Sequence, residues 1–179
     1  MRVLTATSRF AATTYPGVAV AVVTTVCAIG TQPVFDAMTT NETSFFRDVH
    51  PWQTLKEEVL PKLIEARRIE RRLTVWCAAA SSGQEPYSLA MLLRDNFPDI
   101  VRSWDVKIIA TDLSDSMLYR CREGIYSQLE VNRGLPARML VKYFDNGGAT
   151  WSVKPAVRKL VDFRQLNLVD PWVLPERPD

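Results

Sequence analysis

The chain has 179 residues, a length that predicts one domain with a hydrophobic core of its own. Hydrophobic residues make up 47% of it and charged residues 23%, which excludes a disordered protein and one embedded in a membrane throughout. The formal net charge of +2 is too small to indicate nucleic acid as a partner. Three widely spaced cysteines and one histidine, His50, fit neither a disulfide framework nor a metal site. They also argue against catalysis by a Cys/His or Ser/His pair.

Residues 1–34 differ in composition from the rest of the chain. Their only charges are Arg2 and Arg9, and the stretch GVAVAVVTTVCAIG at 17–30 has none. This stretch is too short to cross a bilayer and has the size of the apolar part of a signal peptide, without a clear cleavage site. Three interpretations stay open: a misplaced start or altered reading frame, an irregular buried segment, or an export signal. For the remainder we expect a cytoplasmic protein without stable membrane insertion.

Helical and strand-like segments alternate from residue 53 onward. The segment 53–72 has apolar residues at helical intervals and predicts an amphipathic helix that bends near Pro61. Short apolar strands are predicted at 73–78, 104–112 and 159–168. A helix follows each of the first two strands, and the second helix should begin at a Ser114 cap and end at Gly124. This alternation predicts an α/β fold with a mainly parallel sheet.

One segment predicts antiparallel pairing instead. The sequence KYFDNGGATWSVKP places aromatic-rich arms on both sides of an Asp-Asn-Gly-Gly turn. This is a strong hairpin signal, and we expect a small β-hairpin within residues 142–158.

The loop after the first predicted strand, AAASSGQE at 78–85, contains small residues but a single glycine. Such a loop allows a ligand to approach the backbone, yet it lacks the glycine-rich pattern of a dinucleotide site. Glu85 would repel a pyrophosphate and attract a cationic amino group. Asp112 ends the second predicted strand, where an acid can accept both hydroxyls of a ribose. A ribose and an ammonium group without a phosphate describe S-adenosylmethionine.

Other interpretations of these two acids remain open. Asp112 could begin a turn before the Ser114 cap, and Glu85 could be a first-turn acid favoured by the helix dipole. A nicotinamide-dependent oxidoreductase would share the ribose-binding acid, but the absent glycine pattern argues against it.

Four segments resemble the CheR family of chemotaxis-type glutamate methyltransferases in order and spacing. They are TTNETSFFRD, VWCAAASSGQEPYSLAMLL, IIATDLSDSMLYRCREGIYS and FRQLNLVDP, and the likeness covers residues 35–179. The resemblance implies a Rossmann-like methyltransferase fold with S-adenosylmethionine as cofactor. It also implies protein-glutamate O-methyltransferase activity on the cytoplasmic helical bundle of chemoreceptors.

The resemblance assigns site residues position by position. It places Arg47 beside the transferring methyl as the catalytic residue, Glu85 opposite the methionyl amino group, and Asp112 on the ribose. Phe45 and Phe46 would anchor the segment that carries Arg47, although adjacent aromatic residues are often plain core. The full set implied to bind the cofactor is Asn41, Thr43, Arg47, Glu85, Asp112, Asn167 and Leu168, the last two beside the adenine.

The resemblance also suggests how the chain is organised. Residues 1–34 form an atypical apolar segment, residues 35–72 a linker and helix that cap the cofactor site, and residues 73–179 the N-terminal half of a methyltransferase domain. With only the first half of the sheet present, we expect three strands and an open edge at LTVW. A catalytically inactive fragment or interaction module of this fold is therefore the alternative to an active enzyme.

Overall fold

A computed structural model of the chain describes residues 43–168 and residue 178, together with the backbone of residues 21–22. Its strands form one four-stranded sheet in the order β1-β2-β3-β7 and one three-stranded sheet in the order β4-β6-β5. The strands are β1 (Ala21–Val22), β2 (Arg72–Cys77), β3 (Asp105–Asp112), β4 (Ile125–Ser127), β5 (Phe144–Asn146), β6 (Thr150–Val153) and β7 (Val161–Gln165).

Helices connect these strands. They are α1 (Val49–Thr54), α2 (Leu60–Ala66), α3 (Gln84–Asn96), α4 (Pro98–Ser103), α5 (Asp115–Glu123), α6 (Gln128–Asn132), α7 (Ala137–Tyr143) and α8 (Pro155–Arg158). Helix α5 begins and ends as predicted, because the Ser114 side chain accepts the Met117 N–H and Gly124 takes a left-handed conformation with φ +62°.

The four-stranded sheet is parallel throughout. Strand β2 pairs with β3 from Arg72↔Asp105 onward, and β3 pairs with β7 up to Asp112↔Gln165. The predicted α/β fold is therefore confirmed, and its parallel sheet with helices is consistent with the Rossmann-like fold that the resemblance implies. Because all the strands are parallel, their carboxyl ends lie at one edge, and Asp112 lies at that edge.

Alternate residues of the central strands face two different apolar clusters. Leu73 and Val75 of β2 join Ile108 of β3 in the main core, where they meet the buried side of α3. Trp76 and Ile109 point to the other face of the sheet and form a smaller cluster there. Both faces of β2 are thus buried, as expected for a central strand of a parallel sheet.

The edge of β2 that was expected to be open is partly covered by another strand. Strand β1 pairs with β2 in parallel, with Ala21 opposite Trp76 and Val22 opposite Cys77. The prediction of three strands is therefore wrong, because a two-residue strand from the apolar N-terminal segment supplies backbone partners at this edge. The rest of residues 1–34 lies outside the residues that the structure describes.

The predicted amphipathic helix begins earlier and ends earlier than expected. Helix runs from Val49 to Ala66, and a π-helical turn at Leu55–Val59 separates α1 from α2. The wider turn lies just before Pro61, which has no N–H to donate and whose ring would collide with the carbonyl four residues earlier.

The predicted hairpin is confirmed and is part of a larger unit. Strands β5 and β6 pair antiparallel, with Phe144 opposite Val153, and the Gly147 N–H donates to the Thr150 carbonyl. Strand β4, which the sequence analysis did not predict, pairs with the other side of β6 and places Tyr126 opposite Trp151. We call these three strands the small sheet.

Candidate functional site

Residues 78–83, which we call the β2–α3 loop, are bonded to the end of the neighbouring strand. The Ala80 N–H donates to the Thr111 carbonyl at 2.9 Å, and the Ser81 N–H donates to Oδ2 of Asp112 at 2.7 Å. Ser81 and Gly83 both have positive φ angles, +47° and +93°. Backbone in this region is costly for a serine, so the loop depends on such external bonds to keep its shape.

Asp112 holds two segments of backbone at once. Its Oδ2 accepts the Ser81 N–H, and its Oδ1 accepts the Ser114 N–H at 2.9 Å. The side chain is half-buried at the carboxyl edge of the sheet. A carboxylate accepts about four hydrogen bonds in total, so Asp112 can combine this structural role with the binding of hydroxyl groups.

Two buried side chains support the β2–α3 loop from the core. The Tyr126 hydroxyl donates to the Ser82 carbonyl at 2.8 Å, and Sγ of Cys121 donates to the Ser81 carbonyl at 3.0 Å. Burial raises the pKa of Tyr126 well above its ordinary value, and it raises the pKa of Cys121 to about 12 with a further contribution from the Asp112 charge. Both groups therefore keep their protons at neutral pH and act as donors.

Helix α3 starts directly after this loop and carries the predicted site residue Glu85 in its first turn. Gln84 is buried, and its side-chain oxygen accepts the Ser82 hydroxyl at 2.8 Å. Glu85 is half-buried in the first turn. Burial raises the pKa of Cys77 well above its ordinary value, and the charge of Glu85 raises it further. Glu85 lies in the helix turn that follows the loop after β2, at the same edge of the sheet as Asp112.

Phe45 fixes the N-terminal segment in the core. Its side chain is fully buried and makes edge-to-face contacts with Tyr126, at 5.0 Å between ring centroids, and with Phe144, at 5.6 Å. Gly134 passes so close to its backbone that an added Cβ would lie 2.0 Å from the Phe45 carbonyl oxygen. Phe45 is therefore core, and it holds the chain immediately before Arg47 in place.

Phe46 connects the same segment to the first turns of α3. Its N–H donates to Oγ of Ser88 at 3.0 Å, and the Ser88 hydroxyl donates to the Gln84 carbonyl at 2.7 Å. The half-buried Phe46 ring contacts Trp52, whose indole N–H donates to the Arg47 carbonyl at 2.9 Å. Arg47 itself is exposed. The segment around Arg47 is thus bonded to α3 through the Phe46 N–H and to α1 through the Trp52 indole.

The remaining predicted residues that the structure describes lie in two places. Thr43 is half-buried near the start of the described segment, whereas Asn41 lies outside the described residues. Asn167 is half-buried and Leu168 is 38% exposed, and both follow the end of β7. The Leu166 N–H donates to the Asp112 carbonyl at 3.0 Å, which places this stretch beside the end of β3.

Sequence reasoning missed Ser81, Cys121 and Tyr126 as parts of the site. Cys121 and Tyr126 contact loop residues 40 and 44 positions earlier in the chain, so no local pattern indicates the pairing.

Two further features concern only the part of the chain that the structure describes. Within it, no helix is long and apolar enough to cross a membrane, and no cluster of acidic, cysteine and histidine side chains could hold a metal ion.

Comparisons with known proteins agree with this geometry. The family described as CheR methyltransferase, SAM binding domain, matches residues 41–179. Chemotaxis protein methyltransferase 1 of Pseudomonas aeruginosa is 49% identical over 144 residues, which cover 78% of this chain and 52% of the relative. Chemotaxis protein methyltransferase Cher2 of Pseudomonas putida is 45% identical over 146 residues, covering 79% and 52%.

A third relative, a chemotaxis protein methyltransferase of Vibrio parahaemolyticus, is 45% identical over 143 residues, covering 78% of this chain and 50% of the relative. The chain thus spans about half the length of the curated relatives it matches. The chain belongs to the CheR methyltransferase family, as a SAM-binding domain whose cofactor is S-adenosylmethionine.

Proposed function

We propose that this chain binds S-adenosylmethionine at the carboxyl edge of its parallel sheet and takes part in methyl transfer to glutamate side chains of chemoreceptor helical bundles in the cytoplasm. The observation that carries the proposal is the position of Asp112 at the end of β3, with its carboxylate bonded to the backbone of the β2–α3 loop. Its relatives are named chemotaxis protein methyltransferases, and this name supports the choice of reaction and substrate.

The chemistry of the site fits this cofactor better than a dinucleotide. The β2–α3 loop has one glycine and is followed by Glu85, so it offers no glycine-rich cradle for a pyrophosphate and a negative charge close by. A carboxylate at the end of β3 suits the two ribose hydroxyls, and Glu85 suits an ammonium group. Asn167 and Leu168, beside the end of β3, would receive the adenine.

Such a reaction needs little general acid–base catalysis from the protein. A glutamate has a reference pKa of about 4.3 and is already an anion at neutral pH, so it needs no general base. S-adenosylmethionine supplies an electrophilic methyl on a sulfonium. A substrate carboxylate oxygen would bond to that methyl carbon as its bond to sulfur breaks, which would give a glutamyl methyl ester and S-adenosylhomocysteine. The protein then acts by aligning the reactants and excluding water.

We assign Arg47 the role of orienting the substrate carboxylate near the methyl. The bond of the Phe46 N–H to Ser88 supports this role, because it holds the residue before Arg47 against the helix that begins at the site. The bond of the Trp52 indole to the Arg47 carbonyl fixes the same segment to α1. Asn41 and Thr43 would complete the segment over the cofactor. In this proposal, residues 35–72 cap the site that the domain of residues 73–179 provides.

The first experiment is isothermal titration with S-adenosylhomocysteine, comparing the parent chain with Asp112→Ala and Asp105→Ala. Asp105 lies at the opposite end of the same strand in an exposed pair with Arg72, so it is a matched control. We expect binding by the parent and by Asp105→Ala and none by Asp112→Ala. Equal binding by both variants, or a preference of the parent for NAD, would contradict the proposed site.

The second experiment measures transfer of a labelled methyl group to a purified chemoreceptor cytoplasmic fragment. We expect label in base-labile esters with the parent chain and at least tenfold less with Arg47→Ala, whose cofactor binding should persist. Cofactor binding without any transfer by the parent would favour the alternative, a non-catalytic module of this fold.

A further inference from the structure

We propose that Tyr126 is a positioning residue for the cofactor: its hydroxyl holds the β2–α3 loop in the conformation that binds S-adenosylmethionine and connects that loop to the small sheet. This inference rests on the proposed function. It assigns a role to a residue outside the set implied by the resemblance.

The contact lies where the loop has two left-handed residues, Ser81 and Gly83. Tyr126 is 1% exposed, and its hydroxyl donates to the carbonyl of Ser82, which lies between the left-handed Ser81 and Gly83. The hydroxyl also occupies the space beside Gly83, where an added Cβ would lie 2.9 Å from it. An isolated loop does not favour two positive φ angles in three residues, so the Tyr126 hydroxyl, by donating to the Ser82 carbonyl, selects this conformation.

The phenol is itself held rigidly. Tyr126 is the middle residue of β4 and lies opposite Trp151 of β6. Its ring contacts Phe45 edge-to-face and lies within 6.4 Å, between centroids, of Tyr87 and Phe144. The loop is therefore supported by an element whose position the small sheet and the core both fix.

The chain offers a matched control in Tyr87. It is fully buried in the same aromatic group, and its hydroxyl also donates to a carbonyl, that of Cys121, at 2.6 Å. This bond ends on helix α5 and not on the loop. Tyr126→Phe and Tyr87→Phe each remove one buried hydroxyl and leave one carbonyl without its donor. The first releases the loop backbone directly, whereas the second releases the backbone of α5.

The test that needs no ligand is amide hydrogen exchange of the full chain. We expect the amides of Ser81 and Gly83 to exchange roughly tenfold faster in Tyr126→Phe than in the parent, and no faster in Tyr87→Phe. Unchanged exchange in Tyr126→Phe, or the same increase in both variants, would overturn the proposal. So would a Tyr126→Phe chain that fails to melt cooperatively while Tyr87→Phe melts normally, because the hydroxyl would then maintain the fold and not the loop.

Titration with S-adenosylhomocysteine completes the experiment. The Kd should rise roughly threefold to tenfold in Tyr126→Phe and stay within twofold of the parent in Tyr87→Phe. Faster loop exchange with an unchanged Kd would show that the loop conformation does not matter for binding and would overturn the proposal. A parent chain that does not bind S-adenosylhomocysteine at all would contradict the proposed function. The exchange rates would still show whether the Tyr126 hydroxyl holds the loop.

Discussion

The backbone nitrogen of Ser81 lies 2.7 Å from the carboxylate of Asp112, 31 residues later in the chain. This hydrogen bond joins the loop after β2 to the end of β3, the two elements that a nucleoside would have to contact together. The acid expected to bind the ribose thus also shapes the loop beside it. Loss of its carboxylate should therefore affect both cofactor affinity and the order of the loop.

Gly83→Ala should destabilise the protein by about 1–3 kcal/mol. A methyl at this position would lie 2.9 Å from the Tyr126 hydroxyl and 3.1 Å from Sγ of Cys121, at a backbone φ of +93°. Gly148→Ala is the control, because Gly148 also has a positive φ, +87°, but no atom within 4 Å of the added carbon. Gly148→Ala should lower the free energy of unfolding by about 1 kcal/mol, from backbone strain alone. Urea denaturation measures both, and equal losses would contradict the crowding at Gly83.

Phe45→Ala should lower the free energy of unfolding by about 3–5 kcal/mol, because it leaves a cavity between Tyr126 and Phe144. Phe46→Ala, at the half-buried neighbouring position, should cost clearly less. Chemical denaturation compares the two variants. A larger loss at Phe46 than at Phe45 would show that the segment is anchored differently in solution.

Ser88→Ala should loosen the segment that carries Arg47. The variant removes the acceptor of the Phe46 N–H, and trypsin should then cleave after the exposed Arg47 roughly fivefold faster under native conditions. Ser103→Ala is the control, because both serines donate to the carbonyl four residues earlier in their helices. Mass spectrometry identifies the cut. An unchanged rate in Ser88→Ala would mean that this bond does not hold the segment.

Asp95 should make stability depend on pH in the acid range. Its side chain is 7% exposed and is paired with Arg138 and with Lys142, the latter at 2.6 Å. Burial alone would raise the pKa of Asp95, but the hydrogen bond and charge of Lys142 and the charge of Arg138 outweigh it, so the pKa lies below its ordinary value. Because the folded-state pKa is lowered, the stabilisation is present above about pH 4 and is lost as the pH falls through the folded-state pKa.

The variant Asp95→Asn tests this dependence. It should be less stable than the parent by about 1–2 kcal/mol at pH 7, and the difference should shrink once the pH falls below about 4. Thermal melts across this range supply the measurement. A difference that stays constant down to pH 2 would show that the loss comes from packing and not from the charge of Asp95.

Much of the fold could be predicted because its signals are local. Ser114 and Gly124 mark the two ends of α5 within a span of eleven residues, and the Asp-Asn-Gly-Gly turn marks the hairpin. The position of Asp112 at the end of β3 followed from the alternation of strand and helix. The π-helical turn before Pro61 was expected only as a bend, since a proline shows where a helix is disturbed but not which hydrogen-bond pattern replaces it.

The sequence by itself determined the alternating α/β pattern, the hairpin, the ends of α5 and the acids at the edge of the sheet, because each depends on residues close together in the chain. Only the tertiary structure decided that β1 pairs with Trp76 and Cys77, that Ser81 bonds to Asp112, and that Tyr126 supports the β2–α3 loop. These contacts join residues tens of positions apart. Apolar periodicity and turn residues do not encode such pairs, which form only when the sheet and its helices pack together.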